Sequence, residues 1–441
     1  MKIQKILKRL LQLHPKSVDL SLNRIKRLLK DLNNPEKKIT NAIQVVGTNG
    51  KHSLCTALRE ILETAGYTVN LNVSPSLKKF NERYYLAGKY ISDDQLYDLL
   101  IEVEKINNNK NITFHEFICA CFFLAASRNK SDVNILESGL FFRLDASNVL
   151  EKNIASVIMP IGIDHKDFLK KGTIDEIIYE KCSALLDNSK IFIAEQKNNI
   201  MEKIENVISN NNSEKIIFNK NYYYKKKDGG FLYKDNLGEM NLPLPNLSGD
   251  FQISNVSTAI ATARNLNQLK ITDLHIKNSI TKIRSEGRLQ NITRGKLRNY
   301  VSKNNQILID GAHNPLAAVA IKKYLSTLNS EKKIIMLLGM MANKEHKEFI
   351  KIFKNKIHSI IALNIPNQTN FFDKDKLSKI AIACGIPSKT ENSIESALKN
   401  AAKENNNAII FCGRDTKFKL NIFFYPRNYI GFCCCSNLSG F

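Results

Sequence analysis

The segment Gly47-Thr48-Asn49-Gly50-Lys51-His52-Ser53 places two glycines, an amine and a hydroxyl between the apolar run Ala42–Val46 and a helical pattern. Glycines in a strand-to-helix turn let backbone N–H groups wrap a phosphate at the helix N-terminus, and the lysine adds positive charge. Ser53 offers a hydroxyl to Mg2+. The spacing departs from the common G-x-x-x-x-G-K-[ST], because His52 separates the lysine from the hydroxyl. The competing reading is an ordinary glycine-rich βα turn.

Two further runs end on groups of matching chemistry. Val133–Leu136 ends at Glu137, and Ser156–Ile161 is followed by Asp164-His165. In a parallel sheet, ligands gather at the carboxyl ends of the strands, so Lys51, Ser53, Glu137 and His165 are expected along one edge. Carboxylate, hydroxyl and imidazole, joined by nucleotide oxygens, make a Mg2+ environment. A lone Glu or His is more often a structural hydrogen-bonder; the four together favour a nucleotide–metal site. Farther on, Asp310-Gly311-Ala312-His313-Asn314-Pro315 follows another strand pattern. There Asp310 can bond a ribose hydroxyl and His313 can act near the phosphates. Arg288, at the expected domain junction, is placed to reach a phosphate across the cleft. Two half-sites facing each other suggest a reaction completed by domain closure, which keeps water from a reactive intermediate.

The elements that must position these groups alternate strand with helix. After Ala42–Val46 comes a helix from about Ser53 to Ala65, closed by Gly66, and Lys190–Ala194 is another strand. This rhythm means βαβ units and a mainly parallel sheet. Residues 214–246 break it, with Tyr222-Tyr223-Tyr224, Asp228-Gly229-Gly230 and Phe231-Leu232-Tyr233 resembling a small antiparallel insert. Helical periodicity resumes from Ser254 to about Asn265. Beyond Arg288 the alternation restarts, with strands expected at Gln306–Ile309, Lys333–Leu338, His358–Ala362 and Ala408–Phe411. The fold class expected is therefore α/β: a P-loop-type, mainly parallel sheet domain with a small antiparallel insert over residues 1–288, then a smaller Rossmann-like α/β domain over 289–441.

With 441 residues the chain suits two domains. No apolar run approaches the roughly 20 residues of a membrane span. The basic start MKIQKILKRLLQLHPKS lacks a continuous apolar stretch and a small-residue cleavage site, so it reads as an amphipathic helix and the location as cytoplasmic. Sixty-five Lys plus Arg against 42 Asp plus Glu give a net charge of +23, which raises nucleic-acid binding. The lysines are scattered, with no arginine–aromatic stripe, and the field equally suits polyanions such as ATP or a polyglutamate tail. Six of the nine cysteines (Cys55, Cys119, Cys121, Cys182, Cys384, Cys412) sit in apolar or helical surroundings and read as reduced packing residues. Cys433-Cys434-Cys435 match no metal spacing.

In order along the chain, GTNGK, SPSL (Ser74–Leu77), FNER (Phe80–Arg83), TFHEF (Thr113–Phe117), LESGL…RLDASNV (Leu136–Val149), GIDH (Gly162–His165), EK (Glu180-Lys181), GRLQ (Gly287–Gln290) and DGAHNP resemble the folylpolyglutamate synthase/dihydrofolate synthase family of the Mur ligase superfamily. The match runs from about residue 12 to about 413. The resemblance implies an ATP-dependent amide ligase of folate biosynthesis. ATP phosphorylates a carboxylate of dihydropteroate or a folate to an acyl phosphate, which the amine of L-glutamate attacks. It further implies that Gly47, Thr48, Asn49, Gly50, Lys51 and Ser53 cradle the triphosphate, and that Asn255, Arg288, Asp310 and His313 contact the nucleotide. Mg2+ would be held by Ser74, Glu137, His165 and Lys181, the last carbamylated by CO2, with Lys51, His165 and Lys181 catalytic. For Lys181 the alternative is a helix-surface lysine. Ser17–Leu22 and Ser74–Arg83 would help place the acceptor, and a monomer is the default.

Four departures from the family pattern stand out. His52 replaces a glycine, Phe141-Phe142 replace Gly-Gly, and Phe251 replaces the histidine of L-x-G-x-H-Q. After Gly413 the run from Arg414 to Phe441 lacks a helical stripe, which a shifted reading frame or a divergent tail would explain. A side chain at His52 would crowd the phosphates or force a different loop conformation, and two phenylalanines in a tight catalytic turn are not expected to be neutral. The departures define a second hypothesis, a non-catalytic homologue that binds nucleotide or folate.

Overall fold

The computed structural model describes residues 2–414 apart from Ser17, Leu77, Asn367 and Thr369. The expected frame shift, the cysteine triplet and parts of the Ser17–Leu22 and Ser74–Leu77 segments therefore lie outside the described residues. The first sheet is built from β1 (Ala42–Val46), β2 (Val69–Asn72), β3 (Tyr84–Leu86), β4 (Lys89–Tyr90), β5 (Val133–Glu137), β6 (Ala155–Ile158), β7 (Lys190–Ile193) and β8 (Glu214–Ile217). Its order is β4-β3-β2-β5-β1-β6-β7-β8. All neighbours pair parallel except β2–β3 and β3–β4, which are antiparallel at the edge. β1 lies centrally and is buried at all five positions, so its residues are apolar on both faces except Gln44, whose buried amide is bonded to Ser147 O and Asn153 Nδ2.

Helix Lys51–Thr64 presents Leu54, Cys55, Leu58, Ile61 and Leu62 at three- and four-residue spacing, and all are buried. It packs on helix Asp250–Arg264. Helices Phe114–Arg128 and Ile174–Cys182 each begin with a capping box, Thr113 with Glu116 and Thr173 with Glu176.

The insert differs from its expected extent. Glu214–Ile217 is not part of it but is β8, the last parallel strand of the first sheet. The antiparallel piece comprises only β9 (Tyr222–Lys227), β10 (Gly230–Asp235) and β11 (Gly238–Pro243), a separate three-stranded sheet. Tyr222 anchors it from within: its ring is buried, and its hydroxyl lies 3.1 Å from both the Ile193 carbonyl and Thr258 Oγ1. The run expected to extend to Ile161 ends as a strand at Ile158, because Pro160 has no N–H to give a ladder. Helix Asp250–Arg264 starts four residues earlier than the periodicity indicates, directly after Gly249.

The third sheet has β12 (Gln290–Asn291), β13 (Gln306–Asp310), β14 (Ile334–Gly339), β15 (Ser359–Ala362), β16 (Ser388–Thr390) and β17 (Ile409–Arg414), ordered β12-β13-β17-β14-β15-β16. Only β12 runs antiparallel. Separate apolar clusters lie on its two faces. The fold is thus α/β with two mainly parallel sheets and a small antiparallel one between them in sequence. Among the described residues no helix is long and apolar enough to cross a membrane.

Phe141 and Phe142 are 1% and 0% exposed and belong to an apolar cluster with Val46, Ile158, Ile177 and Ile178. A chain with glycine at both positions would have to fill that volume in another way. Phe142→Ala is expected to cost about 3–5 kcal/mol, the usual range for emptying a phenylalanine site. Denaturant unfolding should show this as a lower midpoint at unchanged slope. A variant as stable as the parent would show that the ring is not part of the core.

Candidate active site

Gly47 and Gly50 have φ of +143° and +84°. A Cβ on Gly47 would lie 2.7 Å from Met159 Cβ, and one on Gly50 would lie 2.6 Å from Asn255 Oδ1. Both conformation and space therefore require glycine. The amides of Thr48 and Asn49 donate to the Pro160 carbonyl at 3.0 and 3.2 Å. Their expected part in wrapping phosphate with the main chain is taken up by that carbonyl, and they hold the loop on the segment after β6 instead. The open amides come next. Leu54 N–H donates to Gly50 O at 2.9 Å, so the N–H groups of Lys51, His52 and Ser53 have no helical partner. Such a terminus attracts anions. Lys51 Nζ donates to Gly47 O at 3.0 Å, which folds the ammonium back over the loop.

Glu137 ends β5, beside the loop. One of its oxygens accepts the Ser74 N–H at 2.9 Å, so at this contact Ser74 acts through its main chain. Burial raises the Glu137 carboxyl above its usual range, against the pull of Lys51 and Arg288. His165 follows β6 with φ of +55°, and burial pushes its imidazole down to about 3 although Asp164 opposes this. A neutral ring keeps a lone pair for a metal ion. Lys181 is 3% exposed, which rules out the helix-surface reading. Its Nζ donates to Gly47 O at 3.0 Å and Leu140 O at 2.6 Å and sits 5.4 Å from the centre of the Phe141 ring. Burial, then the neighbouring Lys51, pushes this amine down to about 7.

The second half comes from the ends of β13 and β14. Asp310 accepts the N–H of Leu289 and of Ala312, both at 2.8 Å, so its carboxylate organises the turn that follows Arg288. Arg288 itself has no hydrogen bond or ion pair among the described residues. His313 Nδ1 lies 2.9 Å from Gly311 O, and its Nε2 lies 3.1 Å from Asp164 Oδ2. Both ring nitrogens face oxygen atoms, one of the turn's own main chain and one of the facing half. Asp164 also accepts from Asn314 Nδ2 at 3.1 Å and Lys344 Nζ at 2.7 Å. Burial alone would raise this carboxyl; His165, Lys344 and His313 outweigh burial and hold it well below the usual range.

These groups border one cavity of about 740 Å3. Every residue expected at the site lines it except Gly47 and Lys181, which lie behind the loop. Phe141 and Phe142 do not line it either; they pack beneath it, with the Phe141 ring edge-on to His165 at 6.4 Å between ring centres. Phe251 lines it while packing on the apolar cluster of the third sheet. Val18, Asp19, Pro75 and Arg83 border the same space, as do His115 and Asp145, whose side chains are 3.3 Å apart. Among the described residues no three His, Cys, Asp or Glu side chains gather closely enough to hold a metal ion unaided. The donors present, a buried carboxylate bonded to one amide and a neutral imidazole, fit a hard cation that also takes phosphate oxygens.

Lys344 was not singled out by its sequence surroundings. The signal available was its place five residues beyond Gly339, the carboxyl end of β14, the same edge that singled out the others. Asp164, which the sequence marks only as the neighbour of His165, meets His313, Asn314 and Lys344 of the second half.

Residues 45–263 match the model of the Mur ligase middle domain, and residues 293–414 that of the Mur ligase glutamate ligase domain. The dihydrofolate synthase/folylpolyglutamate synthase of Buchnera aphidicola from Acyrthosiphon pisum is 31% identical over 326 residues, covering 71% of this chain and 72% of that protein. The protein of the same description from Escherichia coli is 27% identical over 334 residues, 76% of this chain and 75% of its own length. Among solved structures, E. coli FolC in complex with DHPP and ADP superposes with a TM-score of 0.82 at 24% identity, covering 94% of this chain and 95% of that one.

Asp164→Asn should leave the buried Lys344 ammonium without its counter-charge, a loss of about 3–5 kcal/mol. The Asp164 carboxyl is depressed in the folded state, so its contribution is complete above the unfolded value and is lost as pH falls through the folded one. Unfolding free energy measured downward from about pH 4 should therefore fall less steeply in the variant than in the parent. Parallel curves would sink the assignment.

Proposed function

The chain belongs to the dihydrofolate synthase/folylpolyglutamate synthase family of Mur ligases, and from that we propose that it joins L-glutamate to dihydropteroate, a folate, or both at the expense of ATP. One observation carries the proposal: a single cavity brings together an open helix N-terminus, the buried Glu137, Arg288 with no hydrogen bond or ion pair among the described residues, and the Asp310–His313 turn. Cationic and N–H groups on one side suit a triphosphate, and buried carboxylate and imidazole beside them suit its metal. The relatives it resembles in sequence bear the description dihydrofolate synthase/folylpolyglutamate synthase.

In the reaction, an acceptor carboxylate oxygen attacks the γ-phosphorus of ATP, ADP leaves, and an acyl phosphate forms. The glutamate amine then attacks the acyl carbon, phosphate leaves, and an amide remains. Lys51 and the first-turn amides neutralise charge building on the phosphates, worth most where water is excluded. Arg288 reaches the same oxygens from the segment between the two large sheets. Asp310 and His313 hold the nucleotide's position, and Asn255 borders it beside Gly50. The walls on both sides keep water from the acyl phosphate. Val18, Asp19 and the Ser74–Arg83 segment border the end of the cavity proposed for the acceptor.

Glu137, His165, Ser74 and a carbamylated Lys181 would hold Mg2+, which when bound supplies positive charge at the transferred phosphoryl group. An amine attacks CO2 only when neutral, and the amine of Lys181 is neutral above about 7. A carbamate keeps one N–H for the Gly47 or Leu140 carbonyl. Residues 1–288 then act as the ATP-binding unit and 289–441 as the closing one. We further propose a cytoplasmic monomer; the buried, reduced thiols of Cys55, Cys119, Cys121, Cys182 and Cys384 suit a reducing compartment. The phenylalanine pair lies outside the cavity lining, which weakens one support of the non-catalytic alternative, while His52 and Phe251 still line it.

Steady-state release of phosphate should require Mg2+, glutamate and acceptor together, and Lys51→Ala should lower kcat/KM about a hundredfold. Protein that binds ATP but forms no glutamylated product with either acceptor would return the non-catalytic reading. Labelled bicarbonate should give a carbamate carbon resonance that grows as pH rises through about 7 and is absent in Lys181→Arg; an unchanged spectrum would remove the carbamate.

A further inference from the structure

His52 stands where the family has glycine, on the first turn of the helix that begins the nucleotide site, and it lines the cavity. Its ring does not fold over the loop. Nδ1 lies 3.1 Å from Ser285 Oγ, and Ser285 is 8% exposed. Ser285 opens the short segment Ser285-Glu286-Gly287-Arg288 that leads from the first α/β layers to β12 of the third sheet. Neither this contact nor its consequence belongs to the family pattern that the sequence resembles.

That segment is held from three directions. Glu286 pairs with Lys78, in the Ser74–Arg83 stretch at the acceptor end of the cavity. Gly311 N–H donates to Gly287 O at 3.1 Å, and Leu289 N–H donates to Asp310 Oδ2 at 2.8 Å, both from the β13 side. His52 provides the third tie, to the phosphate loop. Leu289 has φ of +45°, a conformation that a leucine keeps only where its surroundings impose it. Arg288 sits between these ties. Its guanidinium borders the cavity with no partner among the described residues, so its aim depends on the backbone that carries it.

We propose that His52 is a positioning residue: its hydrogen bond to Ser285 fixes the Ser285–Arg288 segment against the phosphate loop and so keeps the Arg288 guanidinium aimed at the nucleotide. The extra side chain thus replaces backbone openness with a tie between the two halves of the site. This rests on the cavity being a triphosphate site, as proposed above.

The test uses full-length protein and a non-hydrolysable ATP analogue with Mg2+, so that binding is read without turnover. His52→Ala and Ser285→Ala are each expected to weaken binding about five- to tenfold, the worth of one hydrogen bond. The double variant should be no weaker than either single one. His52→Asn, which keeps a polar atom near the Nδ1 position, should bind close to the parent, and His52→Ala should add no loss to Arg288→Ala. Hydrogen exchange at residues 286–289 should quicken in His52→Ala and Ser285→Ala but not in His52→Asn. A neutral Ser285→Ala, additive losses, or an Asn variant as weak as Ala would each overturn the inference and leave His52 as a space-filling residue. Parent protein that binds the analogue yet makes no glutamylated product would overturn the function and leave the inference standing. Parent protein that does not bind the analogue would overturn both.

Discussion

The carboxylate of Asp164 is the interaction on which the site depends. It follows β6 of the first sheet, yet Lys344, His313 and Asn314 all reach it from the end of the third. A charge this deeply buried is tolerable only when surrounded by donors, and here the donors come from the facing layer. Separating the two sheets would leave an anion and an ammonium group in a poorly solvated space. This cluster and the Asn49–Asn314 contact join the two walls of the cavity.

The same constraint explains how the phosphate loop is used. Thr48 and Asn49 direct their amides to Pro160, which sets the loop on the β6 side and leaves the helix terminus to face ligand. A glycine-rich loop is thus partly a structural brace. Lys51 and Lys181 both donate to the Gly47 carbonyl, each at 3.0 Å. Two amines so near each other disfavour double protonation, and burial adds to this at Lys181, which is why a lysine there can have amine chemistry near neutral pH.

Departures from a family pattern have different meanings according to where the side chains go. Phe141 and Phe142 are conspicuous in the sequence, but both rings turn into the apolar layer under the loop, and one of them covers Lys181. Phe251 leaves the polar role of a histidine and instead extends the core of the third sheet to the cavity wall. His52 remains at the cavity but spends its ring on Ser285. Steric crowding, the natural inference from residue size alone, assumes a direction that only packing supplies.

Local order was legible because it depends on near neighbours. Fully buried parallel strands leave apolar runs such as Ala42–Val46, glycines mark the turn at 47–50, and polar residues after strand ends mark the ligand-facing edge. From these the α/β class, the loop and Lys51, Glu137, His165, Asp310 and His313 followed by the sequence itself. Partnerships between distant residues were not legible. Glu214–Ile217 looked like the start of the insert because four residues carry no record of which sheet pairs with them. Lys344 passed unnoticed, 180 residues from the carboxylate it neutralises, and Lys181 could be read as a surface residue until its two carbonyl acceptors were in place. Chemistry carried by residue type and short spacing was determined by the sequence alone. Burial, the direction of each side chain and the charges brought together across the cavity were decided by the tertiary structure, because they depend on contacts between segments that chain order does not make neighbours.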